Sequence, residues 1–202
     1  TVKSYYRFLI ENRVKYPHNF LWKTKMPPRL KIFMWLVFRN SILNRDNLIR
    51  RGWVGEKTFP FCMQDESVDH LFFKCSMAKM MWNVTQFAFD LKQVSDNLHD
   101  LFGVWLKQFN KDEKSLVTVG IAAVFWTIWK LRNRVVFYKN RVYDPCVPMN
   151  LMIKMLHDWL ILQINPRRRR IMTEGVKKVV LLAEESFRAV LGWRAVHRTA
   201  AT

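Results

Sequence analysis

The stretch Leu116–Trp129 constrains this chain most, because it is fourteen residues of almost unbroken apolar character, interrupted only by Thr118, Gly120 and Thr127. Crossing a bilayer takes about twenty such residues. A shorter run that is hydrophobic on every side has to be covered by protein instead. The pattern around it predicts one long helix over 114–138, apolar first and basic later, with Lys130, Arg132 and Arg134 in its second half. A second segment, Leu30–Arg39, is apolar almost all round and predicts another helix buried on most faces.

The rest of the 202 residues supplies what such helices need. With nine Trp and fifteen Phe, the chain can bury a substantial core, which a disordered chain cannot. Six Gly and seven Pro leave few turns, so the predicted class is mainly α, a multi-helix domain with a small irregular knuckle-like segment. Further helices are expected at 3–15 (capped by Ser4, with Tyr6, Leu9 and Ile10 on one side), 46–51 (ended by Gly52), 68–89 (capped by Ser67) and 96–108. Asn110–Asp112 reads as a polar linker. A helix from near Pro148 runs to Ile164. After Pro166 and Arg167–Arg170 comes a final helix with Val176, Val180, Ala183, Phe187 and Leu191 on one stripe. The chain divides at about residue 95 into a knuckle-bearing region, 1–95, and a helical tail, 96–202, packed as one unit. Its start at Thr1 rather than Met points to a piece of a longer protein.

The formal net charge is +18, and it sits on the ends. Residues 1–51 hold twelve Lys and Arg against Glu11 and Asp46, and residues 166–202 hold nine against three acids. The middle is nearly neutral. Such a field draws polyanions, nucleic acid above all. The candidate phosphate contacts are Lys23, Lys25, Arg29 and Lys31, then Arg50 and Arg51, then Arg167, Arg168, Arg169 and Arg170, with Trp22, Trp53 and Trp193 as candidate stacking platforms. The expected partner is RNA or single-stranded DNA, with no membrane and no small-molecule substrate. The competing reading of these charges is a solvated basic surface.

Catalysis finds little support. Two-metal phosphoryl chemistry needs converging carboxylates, and the nine Asp and seven Glu are scattered with no adjacent Asp pair. Neither a phosphate-cradling glycine loop nor a nucleophile elbow occurs. The expectation is a non-enzyme.

Three cysteines, Cys62, Cys75 and Cys146, do not make a disulfide framework, and no signal peptide is visible, so a reducing intracellular setting, nucleus or cytoplasm, is expected. Cys62, His70 and Cys75 form a C-x7-H-x4-C pattern of donors that zinc prefers, one short of its usual four. Asp65, Glu66, Asp69 or water would complete it. Two readings stay open: one bound zinc, or two small buried cysteines beside a satisfied histidine.

Five ordered blocks carry a resemblance across nearly the whole chain. FPFCMQDESVDHLFFKCSMAKMMW (59–82) resembles the zinc-binding domain (zf-RVT type) that follows the reverse transcriptase in plant LINE-type non-LTR retrotransposons, whose pattern is Cys-x-x-Cys, Glu-Ser/Thr, His-Leu-Phe-x-x-Cys, then Ala-Lys and Trp. TVKSYYRFLI (1–10) and LWKTKMPPRLKIFMWLVFRNSILNRDNLIRRGW (21–53) are similar to its upstream blocks. FWTIWKLRNRVVFYKN (125–140) is similar to its Trp-x-x-Trp-x-x-Arg-Asn block, and HDWLILQ (157–163) through GWRAVHR (192–198) to the C-terminal tail of grass members. The resemblance implies Cys62, His70 and Cys75 as zinc ligands. The family's first cysteine falls on Phe59, which cannot ligate. It further implies a non-catalytic module that helps a polymerase hold template or target nucleic acid. The alternative is a domesticated fragment acting as a host protein-interaction or regulatory module, with a polymerase domain or a host protein as partner.

Overall fold

The computed structural model describes residues 19–139 and 144–199. The helix expected at 3–15, and the side chains of Phe187, Leu191 and Trp193, lie outside the described residues. Among the described residues there are helices and turns but no strand; one isolated antiparallel bridge joins Thr58 to Asp65.

The elements run α1 (Asn19–Lys23), α2 (Pro28–Phe38), α3 (Arg45–Arg50), a π-helical turn (His70–Lys74), α4 (Ser76–Phe89), α5 (Leu98–Gly103), a 3-10 turn (Trp105–Gln108), α6 (Lys111–Tyr138), α7 (Cys146–Trp159), a 3-10 turn (Leu160–Leu162) and α8 (Pro166–Thr199). The fold is mainly α with an irregular knuckle between α3 and α4.

α6 is the centre. By length and composition it could cross a membrane, yet Val119, Ile121 to Phe125, Ile128 and Leu131 are all buried inside this chain. Phe125 takes the aromatic side chains of the π turn and α4, stacking on Phe72 with ring centroids 4.4 Å apart and meeting Phe73 and Trp82 edge-on. Phe33 of α2 packs edge-on against Trp126 at 4.8 Å. Such aromatic pairs contribute about 0.5–1.5 kcal/mol each beyond the area they bury. α7 and α8 pack together, and both touch α6. The buried core runs from Leu21 to Val179 and draws on both sides of residue 95.

Several boundaries differ from the sequence expectation, each for a local reason. Asn110–Asp112 is not a linker. Asn110 caps α6, its side chain accepting the Asp112 and Glu113 backbone N–H groups at 3.0 Å while the Glu113 carboxylate accepts the Asn110 N–H. This reciprocal box satisfies donors that a helix start leaves unpaired. The 96–108 segment is two short pieces instead of one amphipathic helix. α7 begins at Cys146, before Pro148, and gives way to a 3-10 turn after Trp159. Arg167–Arg170 lie inside the first turn of α8, not ahead of it. α2 buries Leu30, Phe33, Met34 and Val37 but leaves Ile32 half in solvent, so it is covered on one side only. On α8 the buried positions are Met172, Val176, Val179 and Ala183; Val180 is partly covered.

The predicted helix 68–89 is also broken. Ser67 does start it, its hydroxyl accepting the His70 N–H at 3.0 Å. The chain then makes a π turn, and Cys75 is extended (φ −60°, ψ 144°) before α4 resumes at Ser76. In one continuous helix, residues five apart would point about 140° away from each other. The break at Cys75 removes that divergence. Trp82 reaches back from α4 and donates its indole N–H to the Phe72 carbonyl at 2.7 Å, holding the turn.

α8 approaches α4 closely at Gly175, where a side-chain Cβ would lie 2.4 Å from the Phe89 ring. Gly175→Ala is therefore expected to destabilise the protein by about 1–3 kcal/mol through overpacking, although alanine is the better helix former. Urea denaturation reads it; a stabilised variant would show that α8 does not sit against Phe89.

Candidate metal centre and basic face

The knuckle is built from the turn outward. The Phe59 N–H donates to the Gln64 carbonyl at 2.7 Å, and the Phe59 carbonyl accepts the N–H groups of Cys62 and Met63 at 3.3 and 2.8 Å. Met63 takes a left-handed conformation at φ +58°. This tight loop presents Cys62 to the π turn. Cys62 Sγ lies 2.9 Å from His70 Nε2, and the donor atoms of Cys62, His70 and Cys75 all lie within 4.8 Å of one another. Among the described residues this is the group of His, Cys, Asp and Glu side chains close enough to share an ion. Zinc with S and N ligands at 2.0–2.3 Å places its ligands roughly 3.3–3.8 Å apart, so the 2.9 Å Cys62–His70 pair would open slightly and the group as a whole, within 4.8 Å, lies within small side-chain adjustments of that spacing. Burial pushes the His70 imidazole down, which favours its neutral, ligating form, and pushes the Cys62 thiol up, which favours the protonated form that must lose its proton to ligate.

The acids proposed as a fourth ligand are otherwise placed. Glu66 is buried, and its Oε1 accepts from Arg132 Nη2 at 2.8 Å, Arg132 Nε at 3.0 Å and the Arg45 backbone N–H at 3.0 Å. Asp69 Oδ1 accepts the Leu98 N–H at 3.0 Å and so seats α5. Asp65 is exposed on the bridge to Thr58. Phe59 is fully buried and stacks on Phe61 at 6.0 Å. Cys146 is remote in role: its thiol, raised by burial, points at the Ala183 carbonyl of α8 at 3.7 Å.

The basic residues fall into two places. Gln163 donates to the Lys25 carbonyl at 2.8 Å, and its own carbonyl accepts Arg169 Nε at 3.1 Å. Lys114 lies over the Phe20 ring at 4.5 Å, and Arg168 pairs with Asp112. These links bring the α1–α2 corner, the start of α6 and the start of α8 to one end of the molecule. Lys23, Lys25 and Arg29 are exposed there, together with Arg167, Arg169 and Arg170. Lys31 donates to the Trp22 carbonyl at 2.7 Å, and burial, then the nearby Lys25 ammonium, lower its pKa. Trp22 and Ile164 stand exposed on the same segments. Arg50 and Arg51 lie elsewhere. Arg50 pairs with Asp46 at 2.8 Å beside a cavity of about 660 Å³ that Phe38, Asp69, Leu98 and Lys107 also line, and Arg51 donates to the Ser41 carbonyl at 3.2 Å. The Trp53 ring covers Gly55, whose Cβ would meet it at 2.1 Å.

Reading along the chain missed Lys114 and Gln163. Lys114 is a cation in the first turns of α6 and was visible. Gln163 carries no signal, because its role depends on a contact across 138 residues.

A mainly helical fold with a Cys–His–Cys knuckle and a basic end defines the class. Residues 1–82 match the family described as zinc-binding in reverse transcriptase. A protein of Arabidopsis thaliana named "Putative ribonuclease H protein" is 26% identical over 151 residues, covering 69% of this chain. The chain spans only about a quarter of that relative's length, 24%. No solved structure matches.

Cys75→Ser is expected to abolish metal uptake, and Cys146→Ser to leave it intact, as measured by elemental analysis of protein purified with limiting zinc. Retention of metal by Cys75→Ser would defeat the assignment.

Proposed function

We propose that this chain is a non-catalytic accessory module, derived from a retrotransposon reverse transcriptase, that holds RNA or single-stranded DNA on its composite basic end. The observation that carries the reading is the junction at Gln163, which joins Lys25 to Arg169 and so makes one face of two clusters far apart in sequence. Crowded cations such as Lys31 and Lys25 gain from a phosphate between them. Exposed Trp22 offers an unpaired base a stacking surface. The knuckle holds one zinc on Cys62, His70 and Cys75 and positions the chain between α3 and α4. The family match, to a zinc-binding region of an enzyme that copies RNA into DNA, supports the same reading.

A binding role also accords with how the acids are spent. Glu66, Asp112, Asp90 and Asp46 pair with Arg132, Arg168, Lys178 and Arg50, and Asp69 accepts the Leu98 N–H, so these five carboxylates are engaged within the fold. The working location is intracellular, in nucleus or cytoplasm, with a polymerase domain or host protein alongside.

Replacing Lys23, Lys25, Arg167 and Arg170 by Gln should lower the salt slope of single-strand binding by up to about 0.7 per lost contact. Arg50→Gln with Arg51→Gln should change it far less, since those side chains are already engaged. Fluorescence anisotropy between about 50 and 200 mM salt reads both. An unchanged slope in the fourfold variant, or tight binding insensitive to salt, would reject the nucleic-acid face in favour of a protein partner.

A further inference from the structure

A cleft of about 940 Å³ opens where the end of α4, the Trp105–Gln108 turn and the starts of α6 and α8 meet. Side-chain links tie its walls together. The Trp105 indole N–H donates to the Gln93 carbonyl at 2.6 Å, Lys178 of α8 pairs with Asp90 at 2.6 Å, and Arg168 pairs with Asp112. Clefts of about 300–1,000 Å³ are the size that takes a small organic group.

The lining combines three chemistries. Its floor is apolar and incompletely covered: Phe89, Leu91, Phe109, Leu116 and Val117 are partly buried, and Ile171 is exposed. The Phe109 ring stands edge-on to the buried Trp105 ring at 4.9 Å, a contact that holds it in place. Three carboxylates border the cleft, and each is engaged: Asp90 and Asp112 in the ion pairs above, Glu113 by accepting the Asn110 N–H. The cations Lys92 and Arg167 are exposed; Arg167 adds to the field that Arg168 exerts on Asp112, but neither it nor Lys92 forms an ion pair among the described residues. Gln93 and Gln108 add exposed amides. The cleft also runs into the basic end, because Arg167 shares the first turn of α8 with Arg169, and Asp112 stands beside Lys111 at the start of α6.

An apolar floor with an aromatic face suits a flat ring, amides suit that ring's polar edge, and cations without a carboxylate partner suit an anion joined to it. We infer that this cleft takes one unstacked nucleobase of a bound single strand, its ring plane on Phe109 and its phosphate at the Lys92 and Arg167 rim. The inference rests on the reading that the basic end holds single-stranded nucleic acid, and it deepens that reading. Phosphate contacts alone ignore the bases and weaken with salt. A base held on an aromatic ring adds affinity through its π-face, a term that should leave the salt slope unchanged.

Fluorescence anisotropy tests this with two labelled strands of equal length, an oligodeoxythymidylate and an abasic phosphodiester. The full chain should prefer the strand that carries bases, with the same salt slope for both between about 50 and 200 mM. Phe109→Leu keeps the bulk and removes the aromatic face, so it should cut that preference about 5- to 150-fold and leave the slope unchanged. Phe109→Tyr should retain the preference. Equal binding of the two strands, or a full preference in Phe109→Leu, overturns the base site while leaving the basic face standing. No binding of either strand, or binding insensitive to salt, overturns both. Phe109 packs on Trp105, so a second measurement uses the unaltered chain: a 4-thiothymidine strand should photocross-link within 89–93 or 105–117. Cross-links confined to the segment around Trp22 would place the bases elsewhere and overturn the inference.

Discussion

One carboxylate oxygen holds the molecule together. Glu66 Oε1 accepts both Arg132 nitrogens from α6 and the backbone N–H that opens α3, while the Glu66 carbonyl accepts the Asn44 side chain at 2.8 Å. Knuckle, α3 and central helix meet at this residue. A buried ion pair gains little over a well-packed apolar pair, because desolvation offsets most of the attraction. Its value lies in direction: two Arg132 donors converge on one buried carboxylate oxygen, which favours one register of the knuckle against α6. The Arg132 guanidinium also lies over the Trp129 ring at 5.0 Å, a second contact that holds its orientation.

From that anchor the rest follows by burial. α6 has apolar residues on all sides and must be wrapped; the aromatic groups of α2, the π turn and α4 wrap one side, and α7 and α8 the other. The same wrapping brings the starts of α6 and α8 together. Each helix start carries partial positive charge, and Lys111 and Arg167–Arg170 add to it. The fold tolerates this repulsion by spending Asp112 on Arg168, which hydrogen-bonds that carboxylate and holds it below its usual range. The remaining excess faces outward.

How much of this was legible in the sequence depended on range. Local chemistry read well: Ser67 does start its helix, Gly52 does end α3 with a positive φ of 88°, and the apolar run does form one long helix. The three donors of C-x7-H-x4-C do come together, though by a broken helix instead of the continuous one expected. The polar run at Asn110–Asp112 looks like a linker, yet Asn110-x-x-Glu113 is a helix-start signal and forms the capping box of α6. Val179 lies on the flank of the Val176–Ala183 stripe away from Val180, and the packing covers that flank while leaving Val180 partly open. Glu66 with Arg132 and Lys25 with Gln163 could not be read at all. Each is a pairing across 66 or 138 residues that only the assembled core creates.

α6 also acts as a ruler. Lys114 at the basic end and Arg132 at the knuckle end lie on one uninterrupted helix. Eighteen residues at 1.5 Å each set them about 27 Å apart. The exposed basic corner at Lys114 and the buried ion pair at Arg132 are thus held at a fixed separation, and neither can approach the other without bending an uninterrupted helix.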